Sequence, residues 1–350
     1  MEIRRRSKQK QEIRPTVETT TSGCDQLDLA MGGGAGWGKV LNIVGDKSSG
    51  KTLLACELLA AARSIYKDKL SWFWDDAESG FSFDAKNIWG FDILPKENQF
   101  HSETVEQWMY NVKEQLEIHQ ENKKGYFIYV IDSLDALTSE EELQHVQDRH
   151  KAMEQGTKEK GSYKMGKARL LSEFFRVVTT DIKDSNCLLV VISQVRANVN
   201  SGPFGKKTTR TGGKALDFYA MHVIELTEVG RIENEYKKIK RKIGITIKAF
   251  VAKNKLAKPY RDCRFVILFD YGVDNIDSNV CFLFDLYTPT GKIKKSINNV
   301  EWDGQQFSRR KDLIEYIEQN DQEDELKKEC RKKWIEIEKA LAPRPRKKYD

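Results

Sequence analysis

Nowhere in the 350 residues does an apolar run approach the roughly eighteen residues of a membrane-spanning helix. No apolar stretch follows the basic opening residues Met1 to Lys10 either, so no secretory leader is expected. A soluble, cytoplasmic protein is expected. The six cysteines, Cys24, Cys56, Cys187, Cys263, Cys281 and Cys330, contain no C-x-x-C pair, and several lie within apolar runs. They read as buried thiols, which excludes a disulfide framework and a thiolate zinc site. His145 and His150 stand five apart, off a common helical face, and make no metal pair. No internal repeat is found. What is present is material for a core: 39% hydrophobic residues, with 16 Phe, 12 Tyr and 7 Trp, exclude wholesale disorder. The length is about twice that of a usual domain, which predicts a large core domain and a smaller unit.

The charge is unevenly placed. The first ten residues net +4 and the last ten +3 against +6 for the whole chain, which leaves −1 for everything between. Basic ends of this kind are either solvated tails or aids to nucleic-acid attraction.

From Val40 onward, short apolar runs alternate with helical patterns. The runs are Val40–Val44, Leu70–Trp74, Tyr126–Ile131 and Leu188–Ile192, each nearly all apolar, as strands buried on both faces of a parallel sheet require. Helices are expected at Lys51–Tyr66, Thr104–His119 and Lys167–Asp184, which gives the rhythm of an α/β sheet. After Met221 the segments His222–Glu228, Ile243–Lys253 and Cys263–Phe269 are strand-like without long helices between them. Ile243, Ile245, Ile247, Ala249 and Val251 alternate strictly, which predicts a hairpin extension of the sheet. Four parts are expected: a basic N-terminal arm at 1–20, a core at 21–275, a small α+β domain at 276–341 and a basic tail at 342–350. In the small domain Val300–Gly304 marks a hairpin turn, and Lys311–Gln319 and Glu323–Leu341 read as helices. A polar segment from Ser139 to Gly166 interrupts the rhythm; Glu140–Gln155 is expected to be helical and Gly156–Gly166 mobile.

Gly45, Asp46, Lys47, Ser48, Ser49, Gly50, Lys51 and Thr52 satisfy G-x-x-x-x-G-K-[ST], between a buried strand and a helix. In such a loop the glycines let successive N–H groups face a β-phosphate, Lys51 neutralises β/γ oxygens and Thr52 ligates Mg²⁺. An ATP-Mg²⁺ site therefore needs an acid at the end of a neighbouring strand, and Asp132 supplies it. Hydrolysis needs a carboxylate to activate water. Asp75, Asp76 and Glu78 together end a third strand, where packing three carboxylates repels and costs stability, which favours a functional reading; periodicity does not choose among them, and Glu78 is favoured. Gln194 ends a fourth strand, placed to sense a γ-phosphate and to move the segment after it.

These residues resemble one family, the RecA-type recombinases, ATP-driven DNA strand-exchange proteins. The matching stretches are Thr21–Asp28, Gly45–Leu53, Asp76–Glu78, Val130–Leu134, Ile192–Arg196, Thr211–Tyr219 and Lys253–Lys255, in family order across about residues 20 to 275. Trp302–Leu341 resembles the bacterial C-terminal domain more loosely, and Met165–Phe175 resembles phage recombinases of the UvsX kind. The resemblance implies a RecA-like ATPase core: a mostly parallel central sheet extended by antiparallel strands. It implies that Glu78 activates water, that Gln194 couples the γ-phosphate to a DNA loop, and that Lys253 and Lys255 reach the nucleotide of a neighbouring subunit. Two loops, Gly156–Gly166 and Ala197–Gly212, would meet DNA at a filament axis.

Composition supports the second loop independently. Arg196, Lys206, Lys207, Arg210 and Lys214 occur there with no acid, together with Thr211, Gly212 and Gly213, and Phe204 is an apolar residue in this polar, glycine-rich loop, of the kind the family resemblance implies wedges between bases. Two departures stand beside the match. About twenty mostly polar residues precede Thr21 where bacterial members carry a docking helix and strand; a strand from Glu12 to Thr19 adding to a neighbour's sheet edge would be a reduced contact. Arg344, Arg346, Lys347 and Lys348 also stand where bacterial members have an acidic tail. The expected function is a DNA-dependent ATPase that forms a filament on single-stranded DNA with ATP-Mg²⁺, engages double-stranded DNA and exchanges strands. The alternative is an ATP-gated regulatory or assembly protein of the same fold that binds a recombination or replication partner without strand exchange.

Overall fold

The structure, a computed structural model, describes residues 17–122, 125–154, 166–197, 208–210 and 213–343. The chain enters through β1 (Thr19–Thr20), α1 (Asp25–Met31) and β2 (Ala35–Gly36), the two strands pairing antiparallel. The α/β alternation comes next: β3 (Lys39–Gly45), α2 (Lys51–Tyr66), β4 (Leu70–Asp76), α3 (Ala85–Trp89), β5 (Gln99–Phe100), α4 (Val105–Glu121) and β6 (Tyr126–Asp132). It continues through α5 (Glu140–Glu154), α6 (Gly166–Asp184), β7 (Cys187–Ala197), β8 (Thr208–Arg210) and α7 (Gly213–Tyr219). The expected helices at Lys51, Thr104, Glu140 and Lys167 all form.

A hairpin extension closes the large sheet, made of β9 (His222–Tyr236), β10 (Ile239–Asn254), β11 (Arg261–Leu268) and β12 (Gly272–Asp274). The strand order is β12-β11-β10-β9-β3-β7-β6-β4-β5, with β8 attached to β7. From β9 through β3, β7, β6 and β4 to β5 every pairing is parallel; β9–β10, β10–β11 and β11–β12 are antiparallel. This is a mostly parallel sheet extended on one side by antiparallel strands.

Side-chain alternation divides the core between the two sheet faces. On one face Leu41, Ile43, Trp72, Trp74, Ile128, Val130 and Val190 pack with Leu54, Leu58 and Leu59 of α2. On the other, Val40, Val44, Phe127, Tyr129, Ile131 and Val191 pack with Trp108 and Leu116 of α4 and with Phe174, Phe175 and Ile182 of α6. Near-continuous apolar strands are thus the consequence of having helices on both sides. Ile245, Ile247, Ala249 and Val251 are buried as the alternation requires, whereas Ile243 is 37% exposed, at a register shift between β9 and β10 that passes over it. Beyond β12 lie α8 (Asn275–Leu283), β13 (Ser296–Trp302), β14 (Gln305–Arg309), α9 (Arg310–Gln319) and α10 (Glu323–Ala340). They surround a separate apolar cluster of Val280, Cys281, Leu286, Ile297, Phe307, Leu313, Ile317, Leu326 and Cys330. Arg261 meets Glu338 through two guanidinium nitrogens, and Lys258 reaches the same carboxylate at 3.0 Å, which ties α10 to β11 and the loop before it.

All six cysteines are buried free thiols. Among the described residues no helix is long and apolar enough to cross a membrane, and no group of His, Cys, Asp or Glu forms a metal cluster by itself.

Candidate nucleotide-binding site

Parallel strands place their carboxyl ends on one edge, and the site is built there. Gly45 of β3 pairs with Gln194 of β7, and Asp76 of β4 with Asp132 of β6. One short edge therefore collects the phosphate loop, both candidate acids and the candidate sensor from four strands.

The loop from Gly45 to Gly50 is shaped by two glycines. A Cβ on Gly45 would collide with Ser49 Oγ and lie 2.8 Å from Leu226 O, and Gly50 has φ +80°, where a side chain is strained. Ser48 accepts a positive φ of 62° in the same turn. The carbonyl of Asp46 is the hub of the loop, accepting Ser49 Oγ at 2.8 Å and Lys51 Nζ at 2.7 Å. Lys51 and Thr52 begin α2, whose first-turn N–H groups have no intrahelical acceptor and point into the loop. This cradle fits a nucleotide phosphate: Lys51, now satisfied by a main-chain oxygen, has the reach and charge to transfer to phosphate oxygens. Burial depresses the Lys51 ammonium, and Asp132, Glu78, Asp46 and Asp135 around it oppose that effect.

Thr52 Oγ1 donates to Asp132 Oδ2 at 2.7 Å, so the two residues expected to hold Mg²⁺ are already in contact. Burial lifts the Asp132 carboxyl to about 6, with Glu78 and Asp76 adding to the rise and Thr52 and Lys51 opposing it. A hydroxyl and a buried carboxylate are hard oxygen donors suited to Mg²⁺, which binds through one or two carboxylates and the substrate phosphates. The fit is therefore good.

The three acids at the end of β4 go three ways. Asp75 is buried on the α4 face, where it accepts Ser102 N–H at 2.8 Å, Ser102 Oγ at 2.5 Å and Tyr129 OH at 3.1 Å. Asp76 accepts Gly80 N–H at 3.2 Å and Phe81 N–H at 3.3 Å and closes the turn after the strand. Glu78 alone meets the other site residues: Gln194 Nε2 donates to its Oε1 at 2.7 Å, and the Ser133 hydroxyl donates to the same oxygen.

Lys253 and Lys255 are elsewhere. Lys253 pairs with Val223, which is level with Asn42, so the lysines lie about 10 Å back along the strands from Gly45 and two strands to the side. Lys253 Nζ donates to Asp217 O and, at 2.9 Å, to Phe218 O; Lys255 Nζ donates to Phe218 O at 3.3 Å and stands 5.7 Å from the Phe218 ring centre. Both therefore satisfy the C-terminal carbonyls of α7, the helix reached from the basic segment.

Of the candidate DNA-contacting residues, Phe204, Lys206, Lys207, Thr211 and Gly212 lie outside the described residues, as does 156–165 of the first expected loop. Arg196 and Arg210 stand on paired strands, with Val195 opposite Arg210 and Arg196 opposite Thr209. Part of the segment expected as loop is thus strand β8, because Thr208, Thr209 and Arg210 find ladder partners in β7. Gly213 begins α7.

A family profile described as RecA N-terminal domain matches residues 5–274. The chain belongs to the RecA family. It is 33% identical over 315 residues to Protein RecA of Trichodesmium erythraeum, covering 88% of this chain and 77% of that one. Against Protein RecA of Arthrospira platensis the identity is 31% over 315 residues, 88% of this chain and 76% of the relative. Against Protein RecA of Rippkaea orientalis it is 30% over 329 residues, 91% and 84%. RecA family membership agrees with the sheet described above and with the order of the motifs along it.

Two contacts at this RecA-type site are not apparent from the sequence. Ser133 comes directly after Asp132 and Asp135 three residues after it, and Asp135 Oδ2 accepts the Gln194 N–H at 2.7 Å. The only signal is a second acid three residues after the first, which has no meaning until β7 lies alongside.

Proposed function

We propose that this RecA-family chain is a DNA-dependent ATPase and recombinase that assembles on single-stranded DNA with ATP-Mg²⁺, pairs it with a homologous duplex and exchanges strands. The observation that carries the reading is the Glu78–Gln194 hydrogen bond of 2.7 Å. It joins the candidate water-activating carboxylate to the strand that runs into the basic, acid-free segment, so occupancy of one end bears mechanically on the other.

In this reading Gly45 to Thr52 cradle the phosphates, Lys51 supplies charge, and Thr52 and Asp132 hold Mg²⁺, which when bound adds charge neutralisation at the phosphates. Glu78 orients and deprotonates water. Gln194 exchanges its bond to Glu78 for the phosphate and so shifts β7 toward the segment carrying Arg196, Phe204, Lys206, Lys207, Arg210, Thr211, Gly212 and Gly213, which contacts DNA. Lys253 and Lys255, remote from their own phosphate loop, act on the nucleotide of a second copy. The core spans 21–275, with the third apolar cluster belonging to the smaller C-terminal unit.

ATP hydrolysis with and without single-stranded DNA, alongside a joint-molecule assay, tests this. Stimulation by DNA and formation of joint molecules are expected, and both vanish in Lys51→Ala. Absence of stimulation and of joint molecules in the unaltered chain overturns the recombinase reading and favours an ATP-gated partner-binding protein of the same fold.

A further inference from the structure

The parallel register between β6 and β7 stops at Ile131 opposite Val191, yet β7 continues straight to Ala197. A strand end that outruns its neighbour leaves donors and acceptors to be satisfied otherwise. The turn after Asp132 does this. Leu134 N–H donates to Ile192 O at 3.0 Å, and the Asp135 carboxylate takes the place of a main-chain acceptor for the Gln194 N–H at 2.7 Å. Two residues before Asp135, Ser133 is fully buried and directs its hydroxyl to Glu78 Oε1.

Glu78 itself lies on the exposed loop after β4, where an unrestrained glutamate samples many rotamers at an entropic cost of about 1.5–2 kcal/mol when ordered. Its direction is set from outside that loop, by Ser133 and Gln194 on one oxygen. The donor from Ser133 comes from a side chain that has no room to move. The donor from Gln194 comes from a strand end pinned by a charge-assisted bond to Asp135.

We propose that Ser133 and Asp135 are positioning residues for ATP hydrolysis, Ser133 holding the Glu78 carboxylate and Asp135 holding the strand end from which Gln194 reaches it. Ser133 acts on Glu78 and Asp135 on the Gln194 N–H; Asp135 also adds negative charge near Lys51, so its removal does not weaken the attraction of the cradle for phosphate. Both are needed to present the carboxylate to water, where a misplacement of about 1 Å costs on the order of a hundredfold. The inference rests on the reading of Glu78 as the water-activating group, and the test separates the two.

Turnover of the full-length chain on single-stranded DNA is measured for Ser133→Ala, Asp135→Ala, Asp135→Asn and Glu78→Gln, and for Ser133→Ala and Asp135→Ala each combined with Glu78→Gln. Ser133→Ala and Asp135→Ala are expected to lower kcat about tenfold with KM for ATP changed less than about twofold. Asp135→Asn, which keeps an acceptor oxygen, recovers most of the loss. In the Glu78→Gln background neither alanine lowers the residual rate further, because the group they serve is gone. A general structural role gives the opposite: losses that multiply with Glu78→Gln and a raised KM, and that result overturns the proposal while leaving Glu78 in its role. If Glu78→Gln itself turns over normally, the reading of the site fails first, and the proposal with it. Should Ser133→Ala not fold, the two Asp135 variants carry the same comparison.

Discussion

Asp132 is a buried carboxyl group, and the consequence for stability can be measured. Its carboxyl is lifted from 3.8 to about 6, chiefly by burial. Between those values the folded chain holds a proton that the unfolded chain has released, so stability falls as pH rises through that window, and the full cost is present above about pH 6. The gap corresponds to about 3 kcal/mol at pH 8 and, because the folded carboxyl is then largely protonated, to only about 1 kcal/mol at pH 4.5. Asp132→Asn removes the charge, keeps the shape and leaves an oxygen for the Thr52 hydroxyl. Urea unfolding in the presence of a chelator should show the variant more stable by about 3 kcal/mol at pH 8, with the advantage shrinking to about 1 kcal/mol at pH 4.5, while Mg²⁺-dependent nucleotide binding is lost. Such a gain in stability at the expense of function is the mark of a buried charge kept for its chemistry. An Asn variant no more stable than the parent at pH 8, or an advantage of the same size at both pH values, would refute the reasoning.

Two further outcomes depend on where the lysines and the basic segment lie. Lys253→Ala and Lys51→Ala chains should each be inactive alone. Mixed in equal amounts they should regain about a quarter of the parental DNA-stimulated turnover, the share of head-to-tail interfaces at which an intact phosphate loop meets an intact Lys253; no recovery refutes action between copies. Phe204→Ala should leave nucleotide binding within about twofold and reduce joint-molecule formation roughly five- to 150-fold, since loss of a base-stacking contact costs about 1–3 kcal/mol; equal loss of both activities shows that Phe204 belongs to the core.

Legibility in the sequence tracks burial. Tyr126 to Asp132 announces itself because helices cover both faces of β6, leaving no polar alternation to confuse it with a surface strand. The β9–β10 hairpin is twice as long as its apolar content suggests. Residues 233–243 are exposed and held by cross-strand pairing, including Lys240 with Glu235 at 3.7 Å, so hydrophobic period carries no trace of them. Lys237 and Lys238 form the hairpin turn, and Ile239 to Lys242 already belong to its second strand. Among the three acids of β4, alternation separates Asp75 from Asp76 yet says nothing about Glu78, which lies past the strand. Choosing it requires Gln194 and Ser133, brought from residues more than fifty positions away.

The polarity of the parallel strands has a further consequence for how charge is balanced. Gly45, Asp132 and Gln194 gather at the carboxyl edge, with Glu78 just beyond it, while Lys253, Lys255 and the α7 C-terminus lie back toward the amino edge. Around Lys51 on a single chain stand the carboxyl groups of Asp132, Glu78, Asp46 and Asp135, so the cradle of an isolated chain sets several acids against one buried cation. A triphosphate brought there adds negative charge to an already acidic surround, and Mg²⁺ offsets only part of it. The missing cations exist in the sequence but at an edge that its own fold keeps away from the site. Under the action between copies proposed above, a second copy presenting its amino edge to the first one's carboxyl edge would supply them, at the expense of the bonds that Lys253 and Lys255 now make to the carbonyls of Asp217 and Phe218. The proposal therefore couples contact between copies to the capping of α7, the helix that comes after the basic segment.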